Sequence, residues 1–490
     1  MNHFDVAIIG AGFGGLSCAL TLAERGAKVA IFERLTYPGG CASTFQRKGY
    51  RFESGATLFS GFGEGQLFSE WIDLHQMDVR FQTMDPVVEL RAGPFVIRVP
   101  PQRERLIEQF CAFDGAPRSA IRAFFEWQEK VADALWGLFD DPTLLPPFSL
   151  HSIFRHIRRS PKYLPLLTAV GQSVGDILRR HQLENFAPIR AYMDAVCQIT
   201  VQTSADEAEA PFALAAMDYF FRGTGHIHGG IGQLATALSD TITNLGGQVS
   251  FADPVWKLRR TDNKWTITSR RQTITADKVV ANLLPANLSN LLGDDSDAEQ
   301  PLEKLSGKVE KGWGAAMLYL GLDRENLDNK AAHHIEMIDD IDTPFIEGNH
   351  LFCSISGSDE PERAPTGQRV ATISTHVKMD QLWKGEDACQ AKYIDEIHRR
   401  MRSTLRLRAP EVAAANVFEM TASPRTFERF TNRHQGYVGG IPRDAGLHHY
   451  LQFAAPEVDR GLYMVGDTVF PGQSTLAVSL GGLRLAETIG

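Results

Sequence analysis

The chain has 490 residues and a formal net charge of −9, an acidic balance that sets nucleic-acid binding aside. Its apolar share of 43% and charged share of 22% are those of an ordinary globular protein, long enough for about two to four structural units. No run of about 18 apolar residues occurs, so no membrane-spanning helix is expected.

Residues 4–9 read Phe-Asp-Val-Ala-Ile-Ile, a short apolar run suited to a buried parallel strand. It begins so early that no signal peptide is expected ahead of it. Leu16, Ala19, Leu20 and Ala23 share one face of a helix expected over 16–25, with Gly26 as its stop. A second strand is expected over 28–33, which completes a βαβ unit. From 103 to 214 the pattern is mainly helical and rich in aromatics. Strands return over 248–251, 256–259, 265–269 and 278–281. Further strands over 313–320 and 371–377 suggest a second sheet, and 393–406 reads as a helix. A last buried strand over 461–465 precedes a helix over 475–489. The expected fold is α/β: a two-part Rossmann-like domain (1–80, 225–300, 415–490), a mixed-sheet substrate domain (81–102, 301–414) and a helical cap (103–224).

Gly10-Ala11-Gly12-Phe13-Gly14-Gly15 fits G-x-G-x-x-G between strand and helix. Gly10 permits the turn, Gly12 lets backbone approach a pyrophosphate, and Gly15 lets helix and strand pack. The helix N-terminus offers free N–H groups and partial positive charge to the phosphates. Glu33 ends the second strand, where a carboxylate accepts from ribose hydroxyls and disfavours a 2′-phosphate. A bare glycine motif also fits a structural turn; its setting and Glu33 favour a dinucleotide.

Cys18, Cys41, Cys111, Cys197, Cys353 and Cys389 lack C-x-x-C spacing, and are expected as reduced thiols in a cytoplasmic-type compartment. His226 and His228 flank Ile227 without Cys or acidic neighbours in sequence, so no metal site is expected there; packing near the cofactor is. No Ser-His-Asp order or nucleophile elbow supports hydrolysis, and no residue pattern names a catalytic base.

The segment from Arg34 through Pro38-Gly39-Gly40-Cys41-Ala42-Ser43-Thr44-Phe45, then Gly55-Ala56-Thr57, resembles the loop after the ribose carboxylate in the amine oxidase/carotenoid desaturase superfamily of flavoproteins. Many members carry Arg after the paired glycines; here Cys41 stands in its place. Gly461 to Val465 leads into Gly466-Asp467, and Pro471-Gly472-Gln473-Ser474 leads to Thr475 and the last helix. In similar proteins the Gly-Asp acid meets the ribityl or phosphate region of FAD, and the helix N-terminus faces the flavin pyrimidine edge. A capping or turn aspartate is the plain alternative for Asp467. Val255 matches a position whose backbone meets adenine, though an ordinary strand residue fits equally. The resemblance implies non-covalent FAD held by Gly10, Gly12, Phe13, Gly14, Gly15, Glu33, Arg34, Gly39, Gly40, Cys41, Ala42, Gly55, Ala56, Thr57, Val255, Gly466, Asp467, Gln473, Ser474 and Thr475.

Residues 39–45, 423–430, 439–442 and 466–473 resemble the carotenoid desaturase and carotenoid isomerase branch, closest to the cyanobacterial-type C-3′,4′ desaturases. That implies a lipophilic carotenoid substrate, desaturation of a C–C bond, and quinone or oxygen as electron acceptor. Isomerisation by reduced FAD, an amine oxidase and a non-catalytic flavin or carotenoid carrier are the alternatives. Phe124, Phe125, Trp127, Trp136 and Phe139, with Met217, Tyr219, Phe220 and Phe221, suit either a polyene channel or core packing. Residues 144–167 mix Leu, Ile and Phe with Arg155, Arg158, Arg159 and Lys162, between Pro147 and Pro161. Such a basic amphipathic helix is expected to lie peripherally on an anionic membrane surface; a solvated helix face is the alternative.

Overall fold

The computed structural model describes residues 2–55, 57–146, 148–261, 263–293, 298–327, 332–447 and 457–490. Ala56 and Pro147 lie outside the described residues. The first strand, His3–Ile9, runs parallel to Val29–Phe32 on one side and to Thr273–Ala281 on the other. Val6, Ala7, Ile8 and Ile9 are all buried, as a strand covered on both faces requires. The strand order is Val255–Thr261, Lys264–Ser269, Thr273–Ala281, His3–Ile9, Val29–Phe32, Gln248–Ser250. Leu462–Met464 adds a parallel strand beside Val279 to Ala281, so the chain's end rejoins its beginning. The helices Phe13–Glu24 and Thr475–Ile489 cover one face, and Leu16, Leu20, Leu480 and Leu485 are buried in one core.

The second sheet has seven strands in the order Asn416–Ala422, Trp313–Asp323, Gln368–Lys378, His350–Ile355, His334–Ile338, Val88–Ala92, Phe95–Val99. Every neighbouring pair is antiparallel except His334–Ile338 with Val88–Ala92, so the sheet is mixed. Asn416–Ala422 corrects the expected boundary at 415. It pairs with Trp313–Asp323 in the second sheet, because its backbone finds an antiparallel edge there.

Helices between residues 103 and 217, chiefly Arg103–Ala112, Arg118–Phe139, Ala187–Thr200 and Ala210–Met217, form the third layer. Phe124, Phe125, Met217 and Phe220 are buried in the core that this layer shares with the strands Val88–Ala92 and Phe95–Val99, which decides for core packing over channel lining at these four positions. The helix Leu150–Arg159 stands apart. Leu150, Phe154 and Ile157 are 88%, 67% and 65% exposed. Its arginines are not a free basic face. Arg155 pairs with Asp141 and donates to Thr143, while Arg159 reaches Asp141 at 3.4 Å and donates to the Gly137 carbonyl at 3.2 Å. Arg158 and Lys162 remain exposed. Among the described residues no helix is long and apolar enough to cross a membrane.

Candidate functional site

The site starts at the carboxyl ends of the first two strands, where parallel sheets leave a crevice. Glu33 is buried there. Its Oε2 accepts from the Ala11 N–H and its Oε1 from the Leu35 N–H, each at 2.8 Å. A carboxylate offers about four acceptor positions, so each oxygen retains one for an outside hydroxyl. Burial pushes the Glu33 carboxyl up, and the Leu35 and Ala11 N–H groups oppose that.

The glycine loop is fixed by close approach. A Cβ on Gly15 would stand 2.3 Å from the Gly10 carbonyl oxygen. One on Gly12 would stand 2.6 Å from Nδ2 of Asn282, which follows the strand Thr273–Ala281. Asn282 packs equally tightly on the other chain end, where a Cβ at Gly466 would meet its Oδ1 at 2.7 Å. This asparagine keys the N-terminal loop to the Gly466-Asp467 turn. Residues 276–282, with Pro285 after them, also match the superfamily pattern in sequence, but that match gives Asn282 no role, although a polar residue just past a buried strand's carboxyl end is a readable signal.

One cavity of about 750 Å³ opens from here. Glu33, Arg34 and Val255 line its first part; Arg34 is exposed to solvent. Gly10, Gly12, Phe13 and Gly14 follow, then Gly39, Gly40, Cys41 and Ala42, and Gly55 and Thr57. Gly466, Asp467, Gln473, Ser474 and Thr475 line it from the C-terminal side. Gly15 is outside the lining and serves helix–strand packing. Phe13 is 3% exposed and its ring sits 5.6 Å from that of Phe59, so it belongs as much to the core. Burial pushes the Cys41 thiol up, against the nearby Arg433 cation, so it stands as a neutral thiol.

Two expectations change in detail. Asp467 neither caps a helix nor stands free: its Oδ2 accepts from Arg433 Nη2 at 2.7 Å. No motif signalled Arg433, which arrives from the helix–turn after Pro424–Thr431. Gln473 turns toward the helical layer and donates to the Ile199 carbonyl at 2.9 Å. Ser474 caps the last helix by accepting from the Ala477 N–H at 3.1 Å, at a φ of 99° that a non-glycine residue rarely adopts. Such a conformation costs about 1–3 kcal/mol and persists where surrounding structure enforces it.

The far part of the cavity is apolar. Trp136, Phe139, Phe212 and Tyr219 form its helical wall, while Met317, Ser374 and Phe352 lie side by side across three strands as its floor. His376 joins the floor as a neutral imidazole, pushed down to about 3 by burial and by the neighbouring His350. His226, expected near the cofactor, lies outside the lining. It pairs with the buried Glu360 at 2.8 Å, and Glu360 also accepts from the Gly229 N–H at 2.6 Å.

A sheet with parallel central strands, this glycine loop, a ribose-side carboxylate and a helix N-terminus along one cavity define a dinucleotide-binding protein of the Rossmann-like class. The family model for flavin containing amine oxidoreductases matches residues 13–487, and the chain belongs to that family. Its cofactor is FAD. Prolycopene isomerase 2, chloroplastic, from an Oncidium hybrid cultivar is 27% identical over 100% of this chain and 84% of that protein. Hydroxyneurosporene desaturase from Cereibacter sphaeroides is 24% identical over 99% of this chain and 97% of its own length. An oxidoreductase from Methanosarcina mazei has the same fold, with a TM-score of 0.64 at 20% identity over 99% of this chain and 100% of that one. A putrescine oxidase variant reaches a TM-score of 0.65 at 14% identity, covering 100% and 99%.

Proposed function

We propose that the protein is an FAD-dependent enzyme acting on a C–C bond of a carotenoid or related polyene. The observation that carries this is the continuity of the cavity, from the Glu33 cradle to the helical wall of Trp136, Phe139, Phe212 and Tyr219 above the floor that holds Met317 and Phe352. A lining of that kind suits a long apolar substrate. When bound, FAD supplies the acceptance or return of an electron pair. Glu33 holds ribose hydroxyls, and the 10–15 loop with the first helix's N-terminus holds phosphate charge. Asp467, fixed by Arg433, takes the ribityl region; backbone at 39–42 and at Gly55 and Thr57, with Val255 at the adenine end, completes the cradle. The apolar wall orients the polyene and excludes water.

The wall also argues against an amine substrate. Among the described residues the acids lining the cavity are Glu33 and Asp467, both in the cofactor part, and no carboxylate lines the far part. An alkylammonium would meet no counter-charge there.

Desaturation and isomerisation use the same cavity. The loop 39–57 favours desaturation, on the pattern of the C-3′,4′ desaturases, with quinone or oxygen taking the electrons. The 27% identity to a prolycopene isomerase, against 24% for a desaturase, favours isomerisation. Protein, FAD and carotenoid precursor in liposomes, with and without quinone, separate the two. Loss of two hydrogens with a red-shifted spectrum marks a desaturase. Unchanged mass with altered cis/trans composition, seen only after flavin reduction, marks an isomerase. Neither change, in FAD-loaded protein offered a range of polyenes, refutes the proposal.

The same reading has the protein rest peripherally on a membrane through Leu150–Arg159. Leu150, Ile153, Phe154 and Ile157 are exposed together, with Leu164 and Leu167 beyond them and Arg158 and Lys162 alongside. An apolar face edged by basic residues suits an anionic bilayer surface.

A further inference from the structure

Arg443 lines the cavity, yet its Nε and Nη2 are shut off from solvent with no hydrogen-bond partner among the described residues. Its guanidinium lies over the Phe212 ring, 3.5 Å from the centroid, and Nη1 reaches the Pro471 carbonyl at 3.4 Å. The acid that acts on it electrostatically is Glu209, whose carboxyl accepts from the Phe212 N–H at 3.1 Å. A buried guanidinium with open donors is costly unless a ligand satisfies it. Its position indicates which part of the ligand does so. Glu33 marks the adenosine end and the 10–15 loop the pyrophosphate. The cavity then passes Asp467 and reaches the turn 470–474, where Arg443 is attached. FAD laid along that path brings its ring system to the Arg443 end.

We propose that Arg443 is the cation that holds the added negative charge of the reduced FAD ring, so that the protein binds reduced FAD more tightly than oxidised FAD. Oxidised FAD gains two electrons and one proton to give the anionic reduced form, one unit more negative; an adjacent cation favours that form over the fully protonated one. The inference rests on FAD binding and not on the identity of the substrate.

The test uses the full chain loaded with FAD. Arg443→Met keeps a long side chain over Phe212 and removes the charge; Arg443→Lys keeps the charge. The preference for reduced over oxidised FAD, read from the two-electron midpoint potential and the Kd for oxidised FAD, is expected to fall about tenfold in R443M, or about 30 mV. It should fall less than about threefold in R443K. In the unmodified protein the potential should rise by about 30 mV for each pH unit lowered from neutral into mildly acidic pH, the slope of one proton per two electrons. A change under about twofold in FAD-loaded R443M overturns the proposal, and so does a slope twice as steep in the unmodified protein. Should R443M fail to hold FAD, R443K and the parent's slope decide alone. A chain that never takes up FAD removes the cofactor assignment and this proposal with it.

Discussion

Arg433 Nη2 stands 2.7 Å from Asp467 Oδ2, and the Arg433 Nε donates to the Tyr437 carbonyl at 2.5 Å. The acid named by the Gly-Asp motif is therefore held in place before any ligand arrives. Both side chains are about four-fifths buried, at 18% and 22% exposure.

Arg433→Ala should leave Asp467 as a poorly solvated charge without its partner. A stability loss of about 1–3 kcal/mol is expected once residual solvent screening is allowed for, together with weaker FAD binding. Chemical unfolding and FAD titration read both. The double variant R433A/D467N should recover part of the stability, since no lone charge remains. If the double variant is no more stable than R433A, the pair is not what fixes the turn.

Gly12→Ala should destabilise through one identifiable neighbour. The new Cβ would press on Asn282 Nδ2 at 2.6 Å, and overpacking of this kind costs about 1–3 kcal/mol. Trimming the neighbour should relieve it, so G12A/N282A should melt above G12A alone. Strict additivity of the two single changes would show that the strain lies elsewhere.

Glu209 gives the stability a pH dependence. Burial pushes its carboxyl up to about 7 from 4.5, with the Arg443 cation and the Phe212 N–H opposing. A raised folded pKa means the folded chain keeps a proton that the unfolded chain releases. The contribution is therefore complete below about 4.5 and is lost as the pH rises to about 7, by about 1.4 kcal/mol per pH unit. Glu209→Gln should flatten unfolding free energy across that window. A parent profile that is already flat there would remove the assignment.

On a bilayer, the apolar face should matter more than the basic residues. Replacing Ile153, Phe154 and Ile157 together by Ser should abolish flotation with anionic liposomes, since fully burying each such side chain contributes roughly 1.5–3 kcal/mol. Neutralising Arg158 and Lys162 should weaken flotation mainly at low salt, at about 1 kcal/mol each. Arg155 and Arg159 are unsuitable for that test, because their removal would free Asp141 and disturb the fold. Unimpaired flotation of the triple variant would return this helix to the solvated-face reading.

The sequence by itself determined the elements whose signals are local. A buried strand, a glycine turn and a helix follow one another within the first 24 residues, and Glu33 ends the next strand. Steric demand and apolar periodicity act between near neighbours, so they can be read along the chain. The last helix, expected over 475–489, is Thr475–Ile489 for the same reason. Tertiary structure alone decided the rest. Asn282 reaches Gly12 across 270 positions, and Arg433 reaches Asp467 from a turn with no motif of its own. Asn416–Ala422 joined the second sheet, and Arg155 and Arg159 turned to Asp141, because free backbone groups and part-buried charges take whichever partner packing brings within reach. Which partner that is depends on how distant segments pack, and local pattern carries no record of it.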